Sequence, residues 1–270
     1  MKPRFSRRLT RHIRSLAALS LLSGLVIGIA GTAPAHAAEA TIAVAANFAS
    51  TADKLAKAFK AESGETVVIA SGSTGQLYAQ IQQGAPFDLF LAADQVRPEL
   101  LHKDGTAAQA PFTYATGRLA LWSPAPAAVP EDGAAFLGQA KLERISIANP
   151  KLAPYGLAAK ESLTALGLWQ TYEQRIVMGQ NIAQAFQIVA AGGAPAGFVA
   201  LSQLLAAPEN LRGSHWTVPT GLHTQIRQDA VLLKRGVGNP AAEGFLAFLT
   251  SSTGCATTRD AGYQPPDSCK

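Results

Sequence analysis

Four short segments of this chain carry the residue types that bind a small anion through the backbone. Ala45-Ala46-Asn47-Phe48, Ser71-Gly72-Ser73-Thr74-Gly75, Ala153-Pro154-Tyr155-Gly156 and Gly179-Gln180-Asn181-Ile182 each follow an apolar run and precede a helical pattern. They are rich in small, hydroxyl and amide residues and contain no Lys or Arg. The first N–H groups of a helix lack an intrahelical partner, and the helix dipole favours negative charge beside them. Four such starts meeting in one crevice bind an anion without any cationic side chain. Taken singly, each junction reads more simply as N-capping by Ser, Thr or Asn. The set, divided between two halves of the chain, is what points to a site.

Enzyme chemistry is thinly represented. Gly72-Ser73-Thr74-Gly75 is not a nucleotide loop, because no Gly-Lys-Ser/Thr ending follows, and it lacks the Gly-x-Ser-x-Gly spacing of a nucleophile elbow. His102, His215 and His223 have no metal-ligand spacing and read as surface or structural residues. Asp53, Asp88 and Asp94 read as caps or surface charges, although Asp94 follows a strand and is placed to orient a cleft. Trp122, Trp169 and Trp216 read as core or hinge packing. The chain therefore reads as a binding protein, not an enzyme. A secreted α/β hydrolase using Ser71, Ser73 or Thr74 with a distant His stays open as an alternative. Cys255 and Cys269 stand fourteen residues apart with no histidine nearby, so neither a zinc site nor a redox pair is expected. A disulfide closing a short loop around Gly262-Tyr263-Gln264-Pro265-Pro266 is expected instead, contributing about 3 kcal/mol by loop entropy. Its expected role is to pin the tail, with little effect on any ligand.

The elements that must position these junctions alternate along the chain. Strands are expected at 41–45, 66–70, 87–92, 144–148, 175–178, 197–200 and 224–234. Helices are expected at 48–59, 74–83, 98–103, 157–166, 182–190, 203–205 and 240–249. Residues 122–133, rich in Pro and Ala, are expected to form a loop. The fold class is α/β with mainly parallel sheets, in two lobes joined at a hinge with a ligand cleft between them. Residues 38–117 and 222–270 form the first lobe and 118–221 the second.

Composition agrees with a folded, exported protein. The chain has 270 residues, 48% of them hydrophobic, which excludes a disordered chain. Its net charge of +5 belongs to the N-terminus. Residues 1–37 hold Lys2, Arg4, Arg7, Arg8, Arg11 and Arg14 and no acid; without them 23 basic residues fall to 17, against 18 acidic ones. No basic stripe is left, so nucleic acid is not an expected partner. Leu16–Ala30 is an uncharged run, shorter than the roughly 20 residues a spanning helix needs. Ala35-His36-Ala37 follows as a small-x-small cleavage pattern. The leader reads as a cleavable signal peptide and the mature protein as periplasmic. Ser6-Arg7-Arg8 is a weak twin-arginine feature, so the export route stays open.

The longer runs carry a resemblance. Ala45-Ala46-Asn47-Phe48, Gly72–Ile81, Gly84–Asp94, Ala153–Ala158 and Gly197–Leu201 resemble the periplasmic molybdate-binding proteins of molybdate ABC transporters, in order and spacing, across essentially the whole mature chain. That family implies a type II periplasmic binding protein fold whose lobes close on a tetrahedral oxyanion. It implies no cofactor, a monomer, and a membrane permease as partner. Position by position, Asn47 falls at the first anion-binding junction, and Ala46 stands where some relatives contribute a Thr. Ser73 and Thr74 form the second junction, Thr74 keeping the hydroxyl. Tyr155 and Ile182 match positions whose backbone N–H reaches the anion. The metal centre is thus the ligand's own, molybdate held through Asn47, Thr74, Tyr155 and Ile182. Ala200 departs from the family, standing where many relatives place a ligand-binding Tyr.

Neutral donors suit a fully ionised dianion such as molybdate or tungstate. A partly protonated phosphate also needs an acceptor, and a buried proton facing a donor is costly. Sulfate has the same charge as molybdate and must be rejected by size. Sulfate or a small carboxylate remains the alternative ligand class, though a carboxylate receptor is expected to place an Arg against its ligand.

Overall fold

The computed structural model describes residues 38–139 and 142–269; the signal-peptide reading of residues 1–37 falls outside them. Along the first stretch, β1 (Glu39–Ala45), α1 (Ala49–Ser63), β2 (Thr66–Gly72), α2 (Thr74–Gln82), β3 (Leu89–Leu91) and α3 (Val96–Lys103) alternate. Two strands follow without a helix, β4 (Phe112–Gly117) and β5 (Leu119–Ser123). Alternation then resumes with α4 (Gly133–Gln139), β6 (Ile145–Ala148), α5 (Pro154–Ala165), α6 (Trp169–Tyr172), β7 (Ile176–Gly179), α7 (Ile182–Ala190), β8 (Gly197–Ala200) and α8 (Leu201–Ala206). The chain ends through β9 (Ser214–Thr217), β10 (Ile226–Leu232), α9 (Pro240–Phe248) and α10 (Ser252–Asp260).

These strands build two five-stranded sheets, ordered β2-β1-β3-β10-β4 and β7-β6-β8-β5-β9. Each is covered by helices on both faces, which is why its central strands are continuous apolar runs. In β1, Ile42 and Val44 pack with Phe48, Leu55 and Phe245 on one face, while Ala43 packs with Leu77, Ile81 and Phe90 on the other. In the second sheet, Leu119 and Leu121 face Ile147 and Phe198, and Ala120 and Trp122 face Val189 and Leu204.

The α/β class and the two-lobed, two-sheet architecture hold, and the pairing is mixed. Parallel pairs join β1 to β2 and β3, and β6 to β7 and β8. Antiparallel pairs join β10 to β3 and β4, and β5 to β8 and β9. Arg118 alone separates β4 from β5, which lie in different sheets. The chain therefore runs directly from the edge of the first sheet into the second and returns through β10. Across this crossing, β4 and β10 pair from Phe112↔Ala230 to Gly117↔Ile226, with a register shift between Gln228 and Asp229 that leaves Tyr114 as an extra residue on β4.

Residues 122–133 are only partly a loop: Trp122 and Ser123 belong to β5, and Gly133 opens α4. The C-terminal tail also holds more structure than expected. In α10 the Ser251 hydroxyl caps the helix by accepting from the Gly254 N–H at 3.0 Å. Cys255 and Cys269 form the expected disulfide, with Cα atoms 5.7 Å apart.

Candidate anion-binding site

The four junctions converge. Ala45, Ala46 and Asn47 after β1, Gly72, Ser73 and Thr74 after β2, Ala153, Pro154 and Tyr155 at the start of α5, and Asn181 and Ile182 at the start of α7 line one small cavity, joined by Ala93 after β3. Its volume is about 10 Å³, room for about one small group the size of a water and far below the roughly 300–1,000 Å³ of sites for drug-sized organic ligands. It is closed: Asn47, Thr74, Tyr155 and Ile182 are each at most 4% exposed. No Lys or Arg is among the lining residues.

The hydrogen bonds show which groups remain for a ligand. The backbone N–H groups of Asn47, Thr74, Tyr155 and Ile182 have no partner among the described residues. The last three sit in the first turns of α2, α5 and α7, where no intrahelical acceptor exists. Thr74 Oγ1 accepts from the Ala93 N–H at 3.1 Å, which leaves its own proton free to donate.

Other lining groups are already spent. The Ala46 N–H bonds the Gly72 carbonyl at 2.9 Å, so this residue contributes only its methyl group. Ser73 Oγ donates to Gln76 Oε1 at 2.8 Å and accepts from the Gln76 N–H at 3.3 Å, the work of an N-cap. The Asn181 side chain caps α7 by accepting from the Gln184 N–H at 2.9 Å. Asn47 differs most from expectation, since Nδ2 donates to Gln228 Oε1 at 2.7 Å and to the Tyr263 hydroxyl at 3.1 Å. Its amide therefore braces the junction, and its N–H is the group left for the anion. Ala200, buried in β8, does not line the cavity.

Asp94 orients the rim. Its carboxylate accepts from the Arg97 N–H at 3.0 Å and pairs with the Arg97 guanidinium, whose Nη2 reaches the Lys151 carbonyl at 3.1 Å. The Gly75 N–H donates to the Leu152 carbonyl at 2.8 Å, a second bond between elements carried by different sheets. His223 Nδ1 lies 2.8 Å from the Thr224 carbonyl, and no histidine lines the cavity. Among the described residues, no group of three or more His, Cys, Asp and Glu could hold a metal ion.

Beneath the cavity lies a buried polar cluster that the sequence did not reveal. Gln228 Oε1 takes both Asn47 Nδ2 and the Tyr114 hydroxyl, the latter at 3.3 Å. The Tyr155 hydroxyl and Gln228 Nε2 are buried without a hydrogen-bond partner. Both lie against Gly117, where an added Cβ would stand 2.0 Å from the hydroxyl and 3.0 Å from the amide nitrogen. Burial pushes the Tyr114, Tyr155 and Tyr263 hydroxyls above the usual tyrosine range. A folded-state pKa raised above the unfolded value of about 10 gives stability that is complete below that pH and lost as pH climbs toward the raised value. These three groups are thus expected to leave the melting temperature flat from about pH 6 to 9 and to lower it from about pH 10 upward. Thermal melts across that range, with tyrosinate absorbance followed in parallel, check this; a decline that begins near neutrality would contradict it.

Residues 40–264 match the family model for bacterial extracellular solute-binding proteins. The chain is 43% identical over 256 residues to the molybdate-binding protein ModA of Rhodobacter capsulatus, covering 94% of this chain and 99% of that protein. It is 46% identical over 220 residues to the molybdate-binding protein ModA of Azotobacter vinelandii, covering 81% of this chain and 87% of the relative. The solved periplasmic molybdate-binding protein of Azotobacter vinelandii superposes with a TM-score of 0.80 at 40% identity, over 84% of this chain and all of that one.

Proposed function

The chain belongs to the bacterial extracellular solute-binding proteins, in the group of the molybdate-binding proteins, and from that premise we propose that it is a periplasmic receptor for molybdate and tungstate. It delivers the anion to the permease of an ABC importer and performs no catalysis. The observation that carries the reading is the donor set: four unpartnered N–H groups and the free Thr74 hydroxyl proton around a small buried cavity lined by no cation.

A buried dianion loses its hydration and must recover it from the protein. Hydrogen bonds to a charged group are worth about 1.5–3 kcal/mol each. The N-terminal dipole ends of α2, α5 and α7 add favourable potential at the same point. Donors at the starts of α1 and α2 come from the first sheet, and those at α5 and α7 from the second. The anion is bound fully only when the two halves meet. Closure is therefore favoured to the extent that the ligand binds the closed form better than the open one. We place the lobes at 38–117 with 222–270 and at 118–221, with the crossings β4–β5 and 222–225 as the hinge and a monomer as the working unit. The relatives' identity and the basic, apolar leader support export to the periplasm.

A thermal shift of the mature chain with molybdate, tungstate, sulfate and phosphate at equal concentration tests the proposal. A ligand present at a hundred times its dissociation constant adds about 2.7 kcal/mol. For a chain of this size that raises the melting temperature by about 5–10 °C. Shifts with molybdate and tungstate alone are expected. A shift with sulfate alone would move the reading to the sulfate class, and no shift with any of the four would sink it.

A further inference from the structure

The geometry points to the disulfide-held C-terminal tail as a clasp for the closed receptor, with Tyr263 as its positioning residue. This rests on the receptor reading and extends it to a residue 216 positions away in sequence from the junction it serves. Tyr263 is 4% exposed and lies inside the loop that Cys255–Cys269 closes. Its hydroxyl donates to the Asn47 carbonyl at 2.7 Å and accepts from Asn47 Nδ2 at 3.1 Å. Residue 47 is thereby fixed at its carbonyl and its amide, leaving the N–H for the anion.

The same hydroxyl reaches the other sheet. Ser202 Oγ, in α8 after β8, lies 2.8 Å from it and 3.2 Å from the Asn47 carbonyl. The tail is aligned for this by backbone bonds to the hinge strand, Thr116 N–H to the Gln264 carbonyl at 2.8 Å and Gln264 N–H to the Thr116 carbonyl at 3.0 Å. Gly262, at φ 85°, turns the chain against α8, where an added Cβ would stand 2.4 Å from Leu205. The Tyr263 ring packs edge-on against Phe48, with centroids 5.1 Å apart, so its position survives loss of the hydroxyl.

The hydroxyl thus joins the first anion junction, the tail and the opposite lobe in one three-way contact, and the contact to Ser202 exists only while the lobes are together. In an open form, water satisfies the same groups. Removing the hydroxyl therefore penalises the closed, loaded state and leaves the empty protein nearly as stable as before. A loss confined to the closed state appears in dissociation, with association little changed.

The test compares the wild-type chain with Tyr263→Phe, Ser202→Ala, their combination and Cys255→Ser/Cys269→Ser, using molybdate as the probe. Calorimetric titration gives the dissociation constant, stopped-flow displacement gives the two rates, and ligand-free melts report the fold. Tyr263→Phe and Ser202→Ala are each expected to raise the dissociation rate about tenfold, the loss of roughly one net hydrogen bond. Their ligand-free melting temperatures stay close to wild type. The double variant loses less than the product of the two, because the pair acts as one contact. The serine pair at 255 and 269 melts lower and also releases molybdate faster. Wild-type affinity in Tyr263→Phe, or losses that multiply without coupling, overturns the clasp while leaving the receptor intact. Failure of the wild-type chain to bind molybdate overturns the receptor reading and the clasp with it.

Discussion

Gly117→Ala is expected to fold and yet to lose about 10- to 100-fold in molybdate affinity. The atoms an added Cβ would meet, 2.0–3.0 Å away, are the Tyr155 ring and hydroxyl and the Gln228 amide. Tyr155 comes from the second lobe, so the clash arises where that lobe seats against β4 and is relieved when the lobes part. Overpacking typically costs about 1–3 kcal/mol, which here penalises closure. Tyr155→Phe in the same chain removes the nearest atom, a buried hydroxyl beside Asn47 and Tyr263 that makes no well-formed hydrogen bond, so its removal is expected to cost little by itself. The double variant should recover part of the affinity, because the ring carbon Cζ at 2.8 Å still crowds the added Cβ. Calorimetric titration beside ligand-free melts checks both; a single variant that binds like wild type would show that this contact does not govern closure.

Thr74→Ala should weaken binding about 10- to 150-fold, the worth of one hydrogen bond from a hydroxyl to a charged acceptor. Its Oγ1 keeps a proton to give, whereas the Ser73 hydroxyl and the Asn47 amide are committed to neighbours. The same substitution strands the buried Ala93 N–H, so some loss of ligand-free stability accompanies it. Thr74→Ser keeps both bonds and should bind within a few-fold of wild type. Ser73→Ala, by contrast, removes a helix cap and should cost about 1 kcal/mol of stability with little change in affinity. Equal affinity losses in the alanine variants at 73 and 74 would contradict this division of labour.

The four junctions were legible because each is a local pattern: a β-branched or apolar run, then small and capping residues, then a helical period. β1, β2, α2, α5 and α7 accordingly lie within a few residues of expectation. What stayed hidden depends on distant partners. In β5 every residue is buried, so no alternation marks it. In β4, Thr113–Gly117 becomes a strand through its pairing with β10, more than a hundred residues on. The Thr-rich α10, with Gly254 in its first turn, has weak helix propensity and is held by its cap and the disulfide. At the site, sequence located Asn47 and could not tell that its amide is turned to Gln228 and Tyr263. It located Tyr155 for its backbone and gave no sign that its side chain reaches Gly117. Sequence reading placed the tail's disulfide, while the contact its loop makes with Asn47 required the fold.

The cavity without a cation has an electrical consequence. From Ala38 onward the chain carries a formal charge of −1. A receptor that held its dianion with an arginine pair would hide the charge it carries. This one compensates its cargo only with dipoles, so loading takes the protein from −1 to about −3. Full and empty receptors then differ in field as well as shape. Within the roughly 8 Å over which physiological salt lets such a field act, any charged group near the cavity meets a different potential in the loaded and the empty protein.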